Sequence, residues 1–222
     1  MSGISRRDWL LQSAVGAAAV AAGMGRLRQA LAADAVQKGM VRLRGDVRVG
    51  EAAARRGMEV RPGDVVTVGR GGEAVFVVGR DAFMARSNSR IELSAGAARG
   101  VLAGFRLVTG ALLSVFEPGG ERRLRTATAM IGIRGTGIYL EAEKMRTYAC
   151  TCYGEVELVP VDDPREAEVV RTTHHEQPRY IYAKGMPRMM ETAPVINHTD
   201  AELILLESLV GRQVPFDPKS YP

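Results

Sequence analysis

A chain of 222 residues that is 46% hydrophobic is long enough for one domain with an extension and apolar enough to bury a core. Residues 1–32 carry four basic residues and one acid, so the net charge of +5 falls to +2 without them. No basic stripe with interleaved aromatic residues remains, which argues against nucleic-acid binding, and two cysteines in all exclude a disulfide framework.

Residues 1–32 have the features of an export signal. Arg6 and Arg7 precede an Ala- and Gly-rich apolar run that is shorter than the roughly 20 residues of a membrane-spanning helix. Ala30 and Ala32 stand in the A-x-A arrangement that signal peptidase reads. An ordinary secretory signal or a weak membrane anchor is the alternative. The paired arginines favour a twin-arginine signal cleaved after Ala32, and hence a periplasmic protein without a permanent transmembrane helix.

Residues 38–160 are predicted to form the β domain. Short β-branched runs alternate there with Gly, Asp, Asn and Pro at intervals of roughly 8–12 residues, which is typical of all-β folds. Pro and Gly within Arg61–Asp64 predict a turn into a strand at Val65–Val68. Further strands are predicted at 74–78, 83–86, 91–93, 107–110 and 111–116. Strands this short favour a flattened β-coil or a two-sheet sandwich over a large barrel.

Several motifs within this stretch follow one another in a specific order. They are Leu43-x-Gly45-x-Val47, Pro62-Gly63-Asp64, Gly72-x-Ala74-x-Phe76, Ser89-x-Ile91-x-Leu93, Gly110-Ala111-Leu112, Gly132-Ile133-Arg134-Gly135-Thr136 and Gly154-Glu155-Val156-Glu157-Leu158. In this order they resemble the FecR family, a periplasmic domain named after a regulator of iron-citrate uptake. The resemblance implies an exported β domain. Family members that transduce iron signals resemble a cytoplasmic anti-sigma segment and one membrane helix followed by this domain, whereas neither of the first two is expected in this chain. Its expected role is a non-enzymatic binding or sensory one in signalling, with an envelope protein, a polymer or a small ligand as partner.

No sequence motif indicates an enzyme. The chain has no G-x-S-x-G elbow, no His-Glu-x-x-His helix and no dinucleotide-binding glycine pattern. Gly132–Gly137 lacks the Lys and the following helix of a phosphate-binding loop, so a tight β corner with positive φ is expected there.

Both cysteines and all three histidines of the chain lie near its C-terminus. Cys150 and Cys152 stand at positions i and i+2 of a predicted strand, which places both side chains on one face about 6.6 Å apart. Two sulfurs so placed can hold one ion, and His174, His175 and His198 are the candidates for the remaining ligands. Because neighbours on a strand face opposite ways, only one of His174 and His175 is expected to point inward.

These residues allow several interpretations. Two thiolates and two or three imidazoles suit zinc in a closed site or copper in a mixed sulfur and nitrogen site. A 2Fe–2S cluster with Cys2His2 ligation is a third form of metal or redox centre. The thiols could instead form a disulfide, which would strain an extended strand, or they could be two buried small side chains beside surface histidines.

Residues 161–222 are predicted to be a C-terminal extension with one helix at about 200–210. Thr199 and Glu202 form a capping box at its start. The apolar face that should pack on the β domain consists of Leu203, Leu206, Leu209 and Val210. His198 lies just before the helix, where the positive end of the helix dipole favours a neutral, ligating imidazole.

Overall fold

The computed structural model describes residues 36–98, 100–185 and 188–217. The predicted export signal at residues 1–32 lies outside the described residues. Among those that are described, no helix combines the length and the apolar character that crossing a membrane requires.

Fourteen β-strands and one short α-helix are found in the described residues, which confirms the predicted all-β class with a C-terminal helix. The strands are β1 (Gly39–Arg44), β2 (Val47–Val49), β3 (Ala52–Ala53), β4 (Val65–Val68), β5 (Glu73–Val78), β6 (Asp81–Ala85), β7 (Ser89–Ala95), β8 (Leu102–Val115), β9 (Glu121–Arg125), β10 (Ala129–Ala142), β11 (Arg146–Pro160), β12 (Glu168–Thr172), β13 (Arg179–Tyr182) and β14 (Met190–Thr192). The helix, α1, spans Asp200–Leu209, and a single 3-10 turn covers Pro164–Glu166.

The long strands β8, β10 and β11 hold the sheet together, because each changes its partners along its length. The first part of β8 pairs with β7, whereas its residues 110–115 pair with the second part of β10. Likewise, β11 pairs with β13 through residues 146–149 and with β12 through residues 154–158. Only β8 and β9 run parallel among the described strand pairs. One hydrogen-bonded sheet therefore folds into two layers that share three strands.

Glycines mark the places where these long strands bend. Gly135 has a φ of 60° and Gly154 a φ of 94°, the left-handed region that other residues rarely adopt. A Cβ atom on Gly154 would lie 2.2 Å from Cγ2 of Thr136, so the two strands approach each other too closely for any side chain there. The register of β10 and β11 shifts between Arg134 and Gly137. The Gly132–Gly137 segment is thus the bend of a strand.

One of the two layers buries apolar side chains on both of its faces, and these side chains form two separate sets. Between the layers, Phe76 and Phe83 stack with their ring centroids 5.0 Å apart. On the opposite face, Val75 and Val77 of β5 belong to the second cluster. The other members of that cluster that concern the site are Met84, Leu113, Tyr139, Tyr148, Cys150, Cys152, Leu203 and Leu206. Helix α1 therefore covers the outer face of the layer that carries both cysteines.

Candidate metal centre

The two thiols occupy one face of β11, in the middle of the sheet. Cys150 and Cys152 are both completely buried and are not joined in a disulfide. Cys150 pairs with Tyr139 of the neighbouring strand β10. Ala149, the residue before Cys150, points to the opposite face of the strand and into the core between the layers. The i, i+2 spacing has the geometric effect that the sequence predicts, because alternate residues of a strand share a face.

His175 reaches the thiols from the loop that follows β12. Its backbone N–H donates to the carbonyl oxygen of Cys152 over 3.0 Å, and its Nδ1 lies 3.4 Å from Sγ of Cys150. Its φ of 55° reverses the chain at this point. Glu176 closes the loop, since its carboxylate accepts hydrogen bonds from the backbone N–H groups of Thr173 and His174 at 2.9 and 3.0 Å.

His198 is the residue immediately before the N-cap of α1. The predicted capping box is present, with Thr199 as N-cap and Glu202 at the third helical position. The ring of His198 stacks on Tyr139 with centroids 4.6 Å apart, and its Nε2 lies 3.0 Å from Nδ1 of His175.

Tyr148 fastens the segment that carries His198 to the sheet. Its hydroxyl donates to the carbonyl oxygen of Pro194 over 2.9 Å and accepts from the backbone N–H of Ile196 over 3.3 Å. Tyr148 lies on β11 two residues before Cys150, so one strand anchors this segment and supplies the first thiol.

The rings of His175 and His198 each form a hydrogen bond through the nitrogen that points away from the thiols. These bonds determine which nitrogen of each ring directs a lone pair towards the thiols. Nδ1 of His198 lies 2.6 Å from the carbonyl oxygen of Ile196, which can only accept, so this nitrogen carries the proton. Nε2 of His175 lies 3.1 Å from Oδ1 of Asp200, and an ionised carboxylate also only accepts. In the neutral rings, Nε2 of His198 and Nδ1 of His175 therefore present lone pairs to each other and to the sulfurs. A cation between them removes the repulsion between the lone pairs.

The four ligand atoms lie close enough together to hold a single ion. One atom each from Cys150, Cys152, His175 and His198 all lie within 4.8 Å of one another, and all four residues are buried. Metal–ligand bonds of about 2.0–2.3 Å in a tetrahedron separate neighbouring ligand atoms by about 3.3–3.8 Å. A two-iron cluster would push its two ligand pairs further apart, so the spacing favours one ion.

The electrostatics of the thiol pair suit a cation as well. A hydrogen bond from the Cys152 thiol lowers the pKa of Cys150 to about 3 despite burial. Burial and the neighbouring Cys150 sulfur raise the pKa of Cys152. The ion-free pair thus shares one proton between two sulfurs, and a bound ion would replace that proton.

His174, the fifth predicted residue, does not join the thiol set. Its Nε2 lies 2.9 Å from each carboxylate oxygen of Asp200, the first residue of α1. Sequence reasoning missed Asp200, because an acidic residue in the first turn of a helix is already explained by the helix dipole. The contact with His174 joins residues 26 positions apart, a separation at which no local pattern points to it.

Helix α1 and the residues after it close the site from outside. Leu203 and Leu206 are fully buried against the outer face of the sheet. The hydroxyl of Tyr153 donates to the buried carboxylate of Glu207, which also accepts from Nε of Arg212 over 2.6 Å. The thiol side of the cluster is therefore buried beneath α1 and the residues that follow it.

Comparison with known proteins assigns no family to the chain. No family model matches it, and neither does any curated protein. Two crystal structures of a candidate anti-sigma factor from Parabacteroides distasonis ATCC 8503, at 1.65 and 2.50 Å resolution, align with it at 11% and 10% identity, each with a TM-score of 0.47. Each alignment covers 58% of this chain and 59% of the other. A likeness of this extent determines neither family nor function.

Proposed function

We propose that this protein is a metal-binding module whose β domain holds one divalent ion, with zinc as the first candidate. The ligands are Cys150, Cys152, His175 and His198. The observation that carries the proposal is the pair of ring nitrogens 3.0 Å apart next to two buried thiols, with an oxygen acceptor at the far nitrogen of each ring. Four nitrogen and sulfur ligands in a closed, buried tetrahedron are typical of structural zinc.

The groups behind the ligands support the same assignment. In zinc proteins, a ligating histidine usually donates its other N–H to a carboxylate or a backbone carbonyl, which fixes the ring and increases its basicity. His175 has the carboxylate of Asp200 in this role, and His198 has the carbonyl of Ile196. Two thiolates and one divalent ion sum to zero charge, so the buried centre carries no net charge once the ion binds.

The export signal and the FecR resemblance in the sequence support a wider role for the module. We infer a non-enzymatic binding or sensory protein of the cell envelope, in which the ion stabilises the partner-binding form. Crosslinking in intact cells, followed by cell fractionation, tests this role. A partner recovered from the periplasm supports it, whereas a chain confined to the cytoplasm contradicts it.

Elemental analysis of the chain, exported by its own signal and purified without chelators, tests the metal assignment. We expect at least one equivalent of metal per chain. The tightly bound ion should be lost in Cys150→Ser and in His198→Gln. Ala149→Ser is the matched control, because it places the same hydroxyl on the same strand but on the opposite face. A metal-free native chain, or tightly bound metal that survives Cys150→Ser, would refute the assignment. Copper in place of zinc would correct the choice of ion and keep the site.

A further inference from the structure

We propose that a second, open metal site adjoins the thiol site and consists of His174, His175 and Asp200. The inference rests on the proposed function, because His175 belongs to both sites through its two ring nitrogens. Nδ1 of His175 faces Cys150 at 3.4 Å, and Nε2 faces Oδ1 of Asp200 at 3.1 Å. One imidazole ring therefore separates the two sets of ligands.

The three side chains of the second set converge on one point. Nε2 of His174 is 2.9 Å from both oxygens of Asp200, and the rings of His174 and His175 meet edge to face with centroids 4.5 Å apart. One ligand atom from each of the three residues lies within 4.8 Å of the other two. Two imidazoles and one carboxylate are a common ligand set for zinc and for iron(II).

The second set is more accessible than the first. The side chains of His174 and Asp200 are 11% and 24% exposed, whereas both cysteines are 0% exposed. Three protein ligands leave at least one position free on a tetrahedral ion, and a site open on one side can fill that position with water or a small anion. The thiol set is closed and suits a retained ion, so the open set suits an exchangeable one.

The charges of the two sets balance with two ions. In the part of the chain that the structure describes, no Lys or Arg forms an ion pair with Cys150, Cys152 or Asp200. When the second ion binds Nε2 of His175, the proton on that nitrogen passes to solvent and leaves an imidazolate. Two thiolates, one carboxylate and one imidazolate then carry four negative charges, which two divalent ions neutralise.

Without the second ion, the same three residues form a hydrogen-bonded chain in which Asp200 accepts from both rings. His174 and Asp200 would then only orient His175 behind the first ion, which is the usual role of a carboxylate next to a ligating histidine. The two arrangements differ in the number of ions per chain, and this number is measurable.

Zinc titration of the chelator-stripped, signal-free chain against a chromophoric competitor, with native mass spectrometry of the end point, decides between them. We expect two Zn²⁺ per native chain, one bound tightly and one at least tenfold more weakly. His174→Ala and Asp200→Asn should each still bind one Zn²⁺ and lose the weak one, and the remaining ion should bind less tightly in Asp200→Asn because Asp200 also orients the ring of His175. Glu202→Gln is the matched control, because it neutralises another carboxylate in the first turn of the same helix, and it should retain both ions.

A single Zn²⁺ in the native chain, with Asp200→Asn also binding one, would overturn the second site and leave the proposed function intact. No Zn²⁺ in the native chain would overturn both. The native stoichiometry decides even if a variant fails to fold, and circular dichroism identifies such a variant.

Discussion

Removal of the ion from the thiol site is expected to lower the melting temperature of the chain markedly. The ion would join β11, the loop after β12 and the residue before the cap of α1, and the contacts between these ligands span 23 to 25 residues. An unfolded chain does not hold these ligands together, so binding stabilises only the folded state. At a free zinc concentration of 1,000 times the Kd, this linkage contributes about 4.1 kcal/mol.

Without residues 1–32 the chain has 190 residues. In a domain of about 150–250 residues, each kcal/mol changes the melting temperature by about 2–4 °C, so the shift should be about 8–16 °C. Calorimetry of the chain without residues 1–32, with buffered zinc and with a chelator, measures it. Cys150→Ser should remove most of the dependence of the melting temperature on zinc. Ala149→Ser should melt at a lower temperature, because it buries a hydroxyl, and yet retain the shift.

Two results would refute this reasoning. Equal melting temperatures with zinc and with chelator would show that no ion is linked to folding. An undiminished zinc-dependent shift in Cys150→Ser would show that zinc binds elsewhere on the folded chain. In either case the geometry of the thiols would need another explanation.

Two further predictions concern the scaffold, and denaturant unfolding measures both. Gly154→Ala should cost about 2–5 kcal/mol, since it combines a left-handed backbone with a Cβ atom 2.2 Å from Thr136. The control Gly185→Ala, with a φ of 106° but open space around it, should cost about 1–2 kcal/mol, and an equal loss at both positions would contradict the close approach. Leu206→Ala should cost about 2–5 kcal/mol because Leu206 lies on the buried face of α1 and its side chain is fully buried. Ile204→Ala, on the exposed side of the same helix, should change stability by about 0.5 kcal/mol or less, and similar losses would mean that α1 does not pack as described.

Local chemistry accounts for the parts of the fold that the sequence predicts well. The turn at Arg61–Asp64 forms as expected, with the backbone N–H of Arg61 donating to Oδ2 of Asp64 over 2.8 Å, and β4 begins directly after it. The capping box likewise places the start of α1. Such signals involve residues within a few positions of each other, so a single sequence is enough to recognise them.

The long strands show where local signals fail. Gly110 suggests a break between two short strands, and its φ of 85° is indeed that of a turn-prone glycine. In the structure, β8 nonetheless runs through it from Leu102 to Val115. Pairing with β7 on one side of the glycine and with β10 on the other keeps the strand continuous, and this pairing depends on residues far away in the sequence.

The candidate site likewise has features that the sequence predicts and features that it does not. The i, i+2 spacing predicts that Cys150 and Cys152 share a face, and the structure places them so. The strand rule predicts opposite directions for His174 and His175, yet the left-handed backbone at His175 turns both rings towards Asp200. Glu176 closes the loop through local hydrogen bonds, but it does not determine the direction of the two rings. Distant contacts with β11 and α1 fix that direction.

The three strands that pass through both layers have a consequence for how the protein unfolds. Because β8, β10 and β11 contribute hydrogen bonds to each layer, neither layer can melt while the other keeps its full set of strands. The loss of one layer would expose the apolar side chains between the layers, including Phe76 and Phe83, so a half-folded chain gains little entropy for a large loss of burial. The sheet therefore unfolds as a single cooperative unit, and a destabilising change at one end of β11 lowers the stability of both layers.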